Sequence, residues 1–371
     1  MELVVLKSNL KEGLGYLGKI GSENLTLPIL KNFLIEANDG KLKFSATNLE
    51  MAISGFIPAK ITKEGSLTVP LNIVSSIINN LQNERIDLEV KGNNLIIKTE
   101  NYQAKIQGIK KEEFPIIPKL ENKDEFIEID SQSIKNALLQ VMIAAQISGR
   151  PELNGVLFDF QIGILKLAAT DSFRLAEKTI TDSKFKTNIE KKFKTIIPIK
   201  TIQEIIRILP DKNNEKVKIF FDSNQVLFKT EKFELISRVI NGEFPDYQAI
   251  IPNKLSTEIN INKEELLNAL KLTSSFSDRT NEIKIIVKEG AKNMEIFSSS
   301  PTLGENQYLI PAKITGEPLE IIFNWRYLIE GVKNMEFDNI FIGLNGSGKP
   351  SIVKPNNNQN YFYILMPIKG E

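Results

Sequence analysis

The sequence predicts an α+β protein of three tandem similar domains, each with helices on one face of antiparallel sheet. Two observations predict it. Three phrases recur in the same order at a period of about 125 residues, and amphipathic helical stretches alternate with short runs of period two. A period this long marks a duplicated domain, because solenoid repeats run to roughly 20–50 residues. The 371 residues also suit two or three domains of ordinary size better than one core.

The first phrase is a strand that ends in a polar corner. In "LKLAATDSFRLA" (165–176), Leu165, Leu167 and Ala169 alternate with Lys166 and Ala168 before Thr170-Asp171-Ser172 turns the chain. "LKFSATNLEMA" (42–52) opens in nearly the same way, and "MEIFSSSPTLGE" (294–305) is a weaker third version. The second phrase is a strand running into an amphipathic helix: "SLTVPLNIVSSIINNL" (66–81), "KTIIPIKTIQEIIRIL" (194–209) and "LEIIFNWRYLIEGVKNM" (319–335). Pro70, Pro198 and Asn324 hold matching places at these helix entrances, where the N–H that proline lacks would be unpaired anyway. The third phrase closes each unit, as "GIKKEEFPIIP" (108–118), "INGEFPDYQAIIP" (240–252) and "YFYILMPIK" (361–369).

Each unit opens on a helix. "DSQSIKNALLQVMIAAQIS" (130–148) has Asp130 or Ser131 to cap it and a stripe of Ile134, Leu138, Val141 and Ala145. "NKEELLNALKLTSSF" (262–276) is its counterpart in the third unit, with Leu266, Leu270 and Thr273 on the stripe. In the first unit "SNLKEGLGYLGKIG" (8–21) is weakened as a helix by Gly13, Gly15 and Gly18. Alternating runs such as "KVKIFFD" and "QVLFKT" fill the rest, so a unit reads helix, strands, helix, strands. Linkers at about 115–127 and 246–257 set the domains at 1–118, 119–250 and 251–371.

Composition narrows the chemistry. With no Cys there is no disulfide or sulfur-ligated metal, and with no His a Ser-His-Asp triad is impossible. A zinc enzyme would need an all-carboxylate site; a carboxylate-only enzyme stays open as the minority reading. No run approaches the roughly 18 apolar residues that span a bilayer, and the start "MELVVLKSNLKEG" lacks the pattern of a secretory signal. The net charge of +1 shows no global basic excess, so any DNA-facing surface must come from local placement. "GLNGSGKPS" (343–351) fits G-x-x-x-x-G-K, yet Pro350 stands where Ser or Thr must hold Mg²⁺. A strand, not a helix, follows it, so the glycines read as a hairpin turn.

The repeats together with "LAATDSFRLA", "GEFPDYQAIIP" and "YILMPIK" resemble the bacterial DNA polymerase III β subunit family, the sliding clamps, collinearly over essentially the whole chain. "TLPILKNFLIEANDGKLKFSATNLEMA" and "RPELNGVLFDF" are similar to that family too. The resemblance implies a DNA clamp fold, in which two three-domain copies close head-to-tail into a ring with helices inside. Such a ring tethers polymerase to duplex DNA without catalysis, needs no cofactor or metal, and works in the cytoplasm at the nucleoid. Its implied partners are double-stranded DNA without sequence preference, the DNA polymerase III catalytic subunit, the clamp loader, and other polymerases and repair factors with short linear motifs. The competing readings are a three-domain binding scaffold that never closes a ring and an NTP-dependent enzyme built on the same repeats.

Carried over residue by residue, the family's partner-peptide pocket would have a floor of Leu153, Thr170, Ser172, Phe173, Arg174 and Leu175. Pro245 and Ile250 would form one wall, and Ile364, Met366, Pro367 and Ile368 the other. Ser172-Phe173 stands where the family often has Gly-His, and a basic residue is missing near Ala249, which shifts the expected peptide preference toward apolar anchors. On the helices implied to face DNA lie Lys11, Lys200, Arg207, Lys271 and Lys333, suited to sequence-independent phosphate contact. Asn24, Ile147, Pro151 and Glu152 depart from the family's DNA-touching loops. The dimer contact would join the last strands of the first unit, near Ile106, to the helix end of the third, near Phe276.

Overall fold

The computed structural model describes all residues except 19, 21–26, 39, 121–122, 212–214, 357–359 and 370–371. The first repeat runs β1 (Glu2–Leu6), α1 (Lys7–Leu17), β2 (Asn32–Asn38), β3 (Lys41–Thr47), β4 (Met51–Pro58), β5 (Lys60–Lys63) and β6 (Gly65–Pro70). It continues through α2 (Leu71–Asn80), β7 (Arg85–Lys91), β8 (Asn94–Lys98) and β9 (Gln103–Gln107). The second repeats this order: β10 (Phe126–Asp130), α3 (Ser131–Val141), β11 (Gly155–Gln161), β12 (Ile164–Thr170), β13 (Arg174–Thr181), β14 (Phe185–Thr187) and β15 (Phe193–Pro198). Then come α4 (Ile199–Ile208), β16 (Lys216–Phe221), β17 (Gln225–Lys229) and β18 (Phe233–Arg238). The third is β19 (Thr257–Asn262), α5 (Lys263–Ser274), β20 (Glu282–Val287), β21 (Asn293–Ser300), β22 (Gly304–Gly316) and β23 (Leu319–Asn324). It ends with α6 (Trp325–Lys333), β24 (Asn339–Leu344), β25 (Ser351–Pro355) and β26 (Tyr361–Leu365).

The repetition extends to single bridges. Thr68 pairs with Ile109, Ile196 with Ile240 and Ile322 with Ile368, so the strand entering each second helix meets the segment that closes its repeat. A short strand also precedes each opening helix (β1, β10 and β19), where the sequence reading begins with the helix itself. Five or six residues with no turn before the helix carry too little periodicity to separate from it.

Contacts divide the chain into two compact units, and the division runs through the second repeat. One comprises 1–132, 185–189 and 203–239; the other comprises 133–184, 190–202 and 240–371. Sheet continuity is the reason. In the first unit β4 of repeat one pairs with β18 of repeat two, giving a nine-stranded sheet beside a five-stranded one. In the second unit β13 pairs with β26 across the next junction, within a twelve-stranded sheet. Each such junction satisfies backbone groups that would otherwise be left on open strand edges.

The cores follow the predicted stripes except at the end of the second repeat's opening helix: α3 stops at Val141, and Ala145 lies past a 3-10 turn in extended backbone, only half-buried. α5 buries Leu266, Leu267, Ala269, Leu270 and Thr273, and α6 buries Leu328, Gly331 and Val332. α1 forms despite its glycines. Gly13 lies so close to the sheet that a Cβ there would come within 2.8 Å of the Phe44 ring, so glycine is what lets this helix pack. Gly18 ends the helix at φ +54, ψ −136, a combination that favours glycine.

The glycine-rich stretch at 343–351 is an antiparallel hairpin. Gly343 pairs with Ile352 on β24 and β25, and Gly346 and Gly348 take positive φ in the turn between them. No helix begins there to receive a phosphate. No helix among the described residues is long and apolar enough to cross a membrane.

Candidate partner-docking site and nucleic-acid interface

The corner that ends the first phrase is the same hydrogen-bonded device in two repeats. Thr170 Oγ1 donates to Arg174 O (2.7 Å) and accepts from Ser172 N (3.2 Å). Asp171 Oδ1 accepts from the backbone N–H of both Phe173 and Arg174, at 3.0 Å each. In the first repeat Thr47 bonds Met51 O and Leu49 N, and Asn48 Oδ1 takes the N–H groups of Glu50 and Met51. Ser172 and Leu49 sit at φ 77 and 76, a strain that these bonds offset. The third version keeps only part of this: Thr302 N donates to Ser300 Oγ, and Pro301 has no side-chain acceptor to add.

In the second repeat this corner presents Phe173, which is 61% exposed. Arg174 behind it is only 8% exposed and fully engaged. Its Nε donates to Asp171 Oδ2 (2.9 Å), its Nη1 donates to Glu330, and its guanidinium lies 4.1 Å over the Tyr327 ring. Burial opposes the guanidinium's charge, but Tyr363, Glu330 and Asp171 outweigh it and hold the pKa above the usual arginine value. Glu330 and Tyr327 lie on α6, about 155 residues away, where sequence reasoning had no signal to find them.

The predicted pocket residues therefore fall into two groups. Leu175 and Ile364 are opposite partners on β13 and β26 and belong, with Leu157, Ala168, Ile196 and Tyr247, to a buried cluster. Leu153, Thr170 and Pro367 are buried as well. What faces outward is Phe173, Ser172, Pro245 and Ile250, with Met366 and Ile368 half-buried. Met366 N–H donates to Phe173 O (2.9 Å) and Ile368 N–H donates to Ile322 O (2.8 Å), so the terminal segment is laced to the sheet that supports the corner.

Sequence reasoning passed over two further residues. Tyr247 OH donates to Glu177 Oε2 at 2.6 Å, inside the protein. The available signal was Glu177 itself, a carboxylate two residues beyond Leu175 on the apolar face of a strand.

Lys11, Lys200, Lys271 and Lys333 are exposed on α1, α4, α5 and α6. Arg207 has a different occupation. Its Nη1 and Nη2 donate to Gly15 O (2.7 Å) and Tyr16 O (2.8 Å), and its Nε donates to Glu204 (2.8 Å), so it caps the C-terminus of α1. Ile147 is exposed, and Pro151 and Glu152 form a short 3-10 turn; Asn24 lies outside the described residues. Ile106 lies on β9. Its side chain is only 6% exposed, because residues 104 and 106 share the inward face of β9. β9 is the last strand of the five-stranded sheet. Phe276 is half-buried just past α5.

Three repeats of helix-backed antiparallel sheet, merged across their junctions and carrying this corner, define the class of DNA clamp folds. Three family models match in tandem: the DNA polymerase III beta subunit N-terminal domain over 1–118, its central domain over 128–246 and its C-terminal domain over 248–369. The beta sliding clamp of Bacillus subtilis is 29% identical over 382 aligned residues, covering 100% of both chains. That of Synechococcus elongatus is 26% identical, covering 100% of this chain and 99% of its own. The crystal structure of the Bacillus subtilis DNA polymerase sliding clamp superposes with a TM-score of 0.94 over 100% of both chains, at 29% identity. The Thermotoga maritima DNA polymerase III beta subunit gives 0.91 over 100% of both, at 26% identity. The chain belongs to the DNA polymerase III beta subunit family, the β sliding clamps.

Proposed function

We propose that two copies of this chain close head-to-tail around duplex DNA and tether the replicative polymerase to it, each copy contributing domains 1–118, 119–250 and 251–371. The tandem match to all three clamp domains is the observation that carries this reading. A two-fold related pair of this kind has two identical interfaces and leaves no open end. Two strand edges support it: β9 ends its sheet, and, among the described residues, 304–311 of β22 pair only with β21. The edge of β9 in one copy would meet β22 and the end of α5, near Phe276, in the other. Exposed Lys11, Lys200, Lys271 and Lys333 supply a sequence-independent attraction for phosphate that permits sliding.

Phe173, Pro245, Ile250 and Met366 form the groove for short linear motifs of the polymerase catalytic subunit, the clamp loader and repair factors. Apolar anchors in a preformed groove give such peptides their affinity, and methionine adapts to several of them. Retention on circular DNA tests the ring. Protein loaded on a nicked circle should stay bound and be lost when the circle is linearised, because only a topological link behaves so. Equal loss from both substrates, or a monomer in light scattering, would favour an open scaffold.

A further inference from the structure

We propose that Glu177 and Tyr247 form an internal strap that positions the loop carrying Pro245 and Ile250, making them positioning residues for peptide docking; this rests on the docking reading above. The loop leaves the sheet after Ile240, whose N–H is held by Ile196 O at 2.8 Å. Phe244 then packs against the buried cluster, and Tyr247, 6% exposed, lies inside that cluster with Leu175 and Ile364. The Phe244 ring meets Tyr247 edge-on at 6.0 Å, and the Tyr247 hydroxyl donates to Glu177 at 2.6 Å. From Tyr247 a single 3-10 turn leads to the wall residue: Ile250 N–H returns to Tyr247 O (3.2 Å) and Ile251 N–H to Gln248 O (3.2 Å). Pro245 and Ile250 thus stand two residues before and three residues after the anchor, both exposed, and move as it moves.

Glu177 is built to hold this bond. A carboxylate 5% exposed on an apolar sheet face is costly unless it is partnered. Its partners are the Tyr247 hydroxyl, the Thr179 hydroxyl at 3.2 Å and Lys166 at 4.0 Å, with Lys166 in turn opposite Asp159 on the neighbouring strand. Burial, and then Glu177 itself, push the phenol above its ordinary value, so it remains a donor at neutral pH. An apolar residue at 177 would remove the carboxylate that accepts the phenol's hydrogen bond, and the loop would lose its polar tether while Ile240 stayed held.

The test uses the full-length protein and a fluorescein-labelled short peptide carrying aliphatic and aromatic anchors that suit the apolar groove, followed by anisotropy. Tyr247→Phe keeps the ring and removes only the hydroxyl; it should weaken binding about tenfold, as should Glu177→Leu. The double variant should be no weaker than either single one, and Glu177→Gln, which keeps an acceptor, should recover most of the affinity. Binding within twofold of the parent for Tyr247→Phe, or losses that multiply in the double variant, would overturn the strap. If the parent does not bind the peptide, the docking reading fails and amide exchange of the free protein judges the strap alone. About tenfold faster exchange at Ile250 and Ile251 in Tyr247→Phe supports it, and unchanged exchange overturns it.

Discussion

Replacing Arg207 with alanine separates two roles that one arginine could fill. As a phosphate contact it would contribute to DNA affinity and little to folding; as the cap of α1 it does the reverse. The cap has a calculable size. Two carbonyls at the end of α1, on Gly15 and Tyr16, accept from one guanidinium at 2.7 and 2.8 Å, and the helix has no basic residue of its own in its last turn. Hydrogen bonds from a charged donor contribute about 1.5–3 kcal/mol each when buried, and a cation at a helix C-terminus adds about 0.3–1. The side chain is 37% exposed, so solvent screening brings the sum to about 2 kcal/mol. For a unit of this size that is a fall of about 4–8 °C in the melting midpoint. Thermal denaturation with amide exchange across α1 is the assay. Arg207→Lys should recover the dipole interaction without serving both carbonyls, and so fall between parent and alanine. A midpoint within 1 °C of the parent, with α1 exchange unchanged, would refute the cap, and a shallower salt dependence of DNA binding would then return Arg207 to the DNA face.

Three further outcomes are expected. Phe173→Ala should leave the melting midpoint nearly unchanged, because the ring is largely exposed, and reduce peptide affinity by about 2 kcal/mol, roughly 30-fold; calorimetry showing less than a twofold change would remove Phe173 from the groove. Truncation from Met366 is a poorer probe, since it also removes the bonds to Phe173 and Ile322. Burial raises the Glu36 carboxyl, but Lys111 at 2.6 Å and Lys43 at 3.5 Å outweigh it and hold the pKa below the usual range. Its stabilising contribution is therefore present above the unfolded value of about 4.3 and lost as pH falls through the lower native value. Glu36→Gln should melt below the parent at pH 7 and converge with it in acid, and parallel curves at every pH would contradict this. Changing Lys11, Lys200, Lys271 or Lys333 singly to Gln should each reduce the slope of log K against log salt by about 0.9 on short duplex DNA, and an unchanged slope would place that lysine away from phosphate.

The sequence by itself determined the triplication, the helix-and-strand order apart from the leading strands, the hairpin at 343–351, and the family. These rest on local causes: side-chain periodicity, and corners such as Thr170-Asp171-Ser172 whose hydrogen bonds close within five residues. A cause that local is copied whenever the segment is copied, so the repeats preserve it. Tertiary structure decided which charged and apolar residues are engaged. Arg207 reaches a helix end about 190 residues away, Arg174 is held by Glu330, and Glu177 meets Tyr247 across 70 positions. Ile106 spends its side chain on its own core, and two of the sheets run through repeat boundaries. Each of these depends on which strand lies beside which, and chain spacing carries no record of that choice.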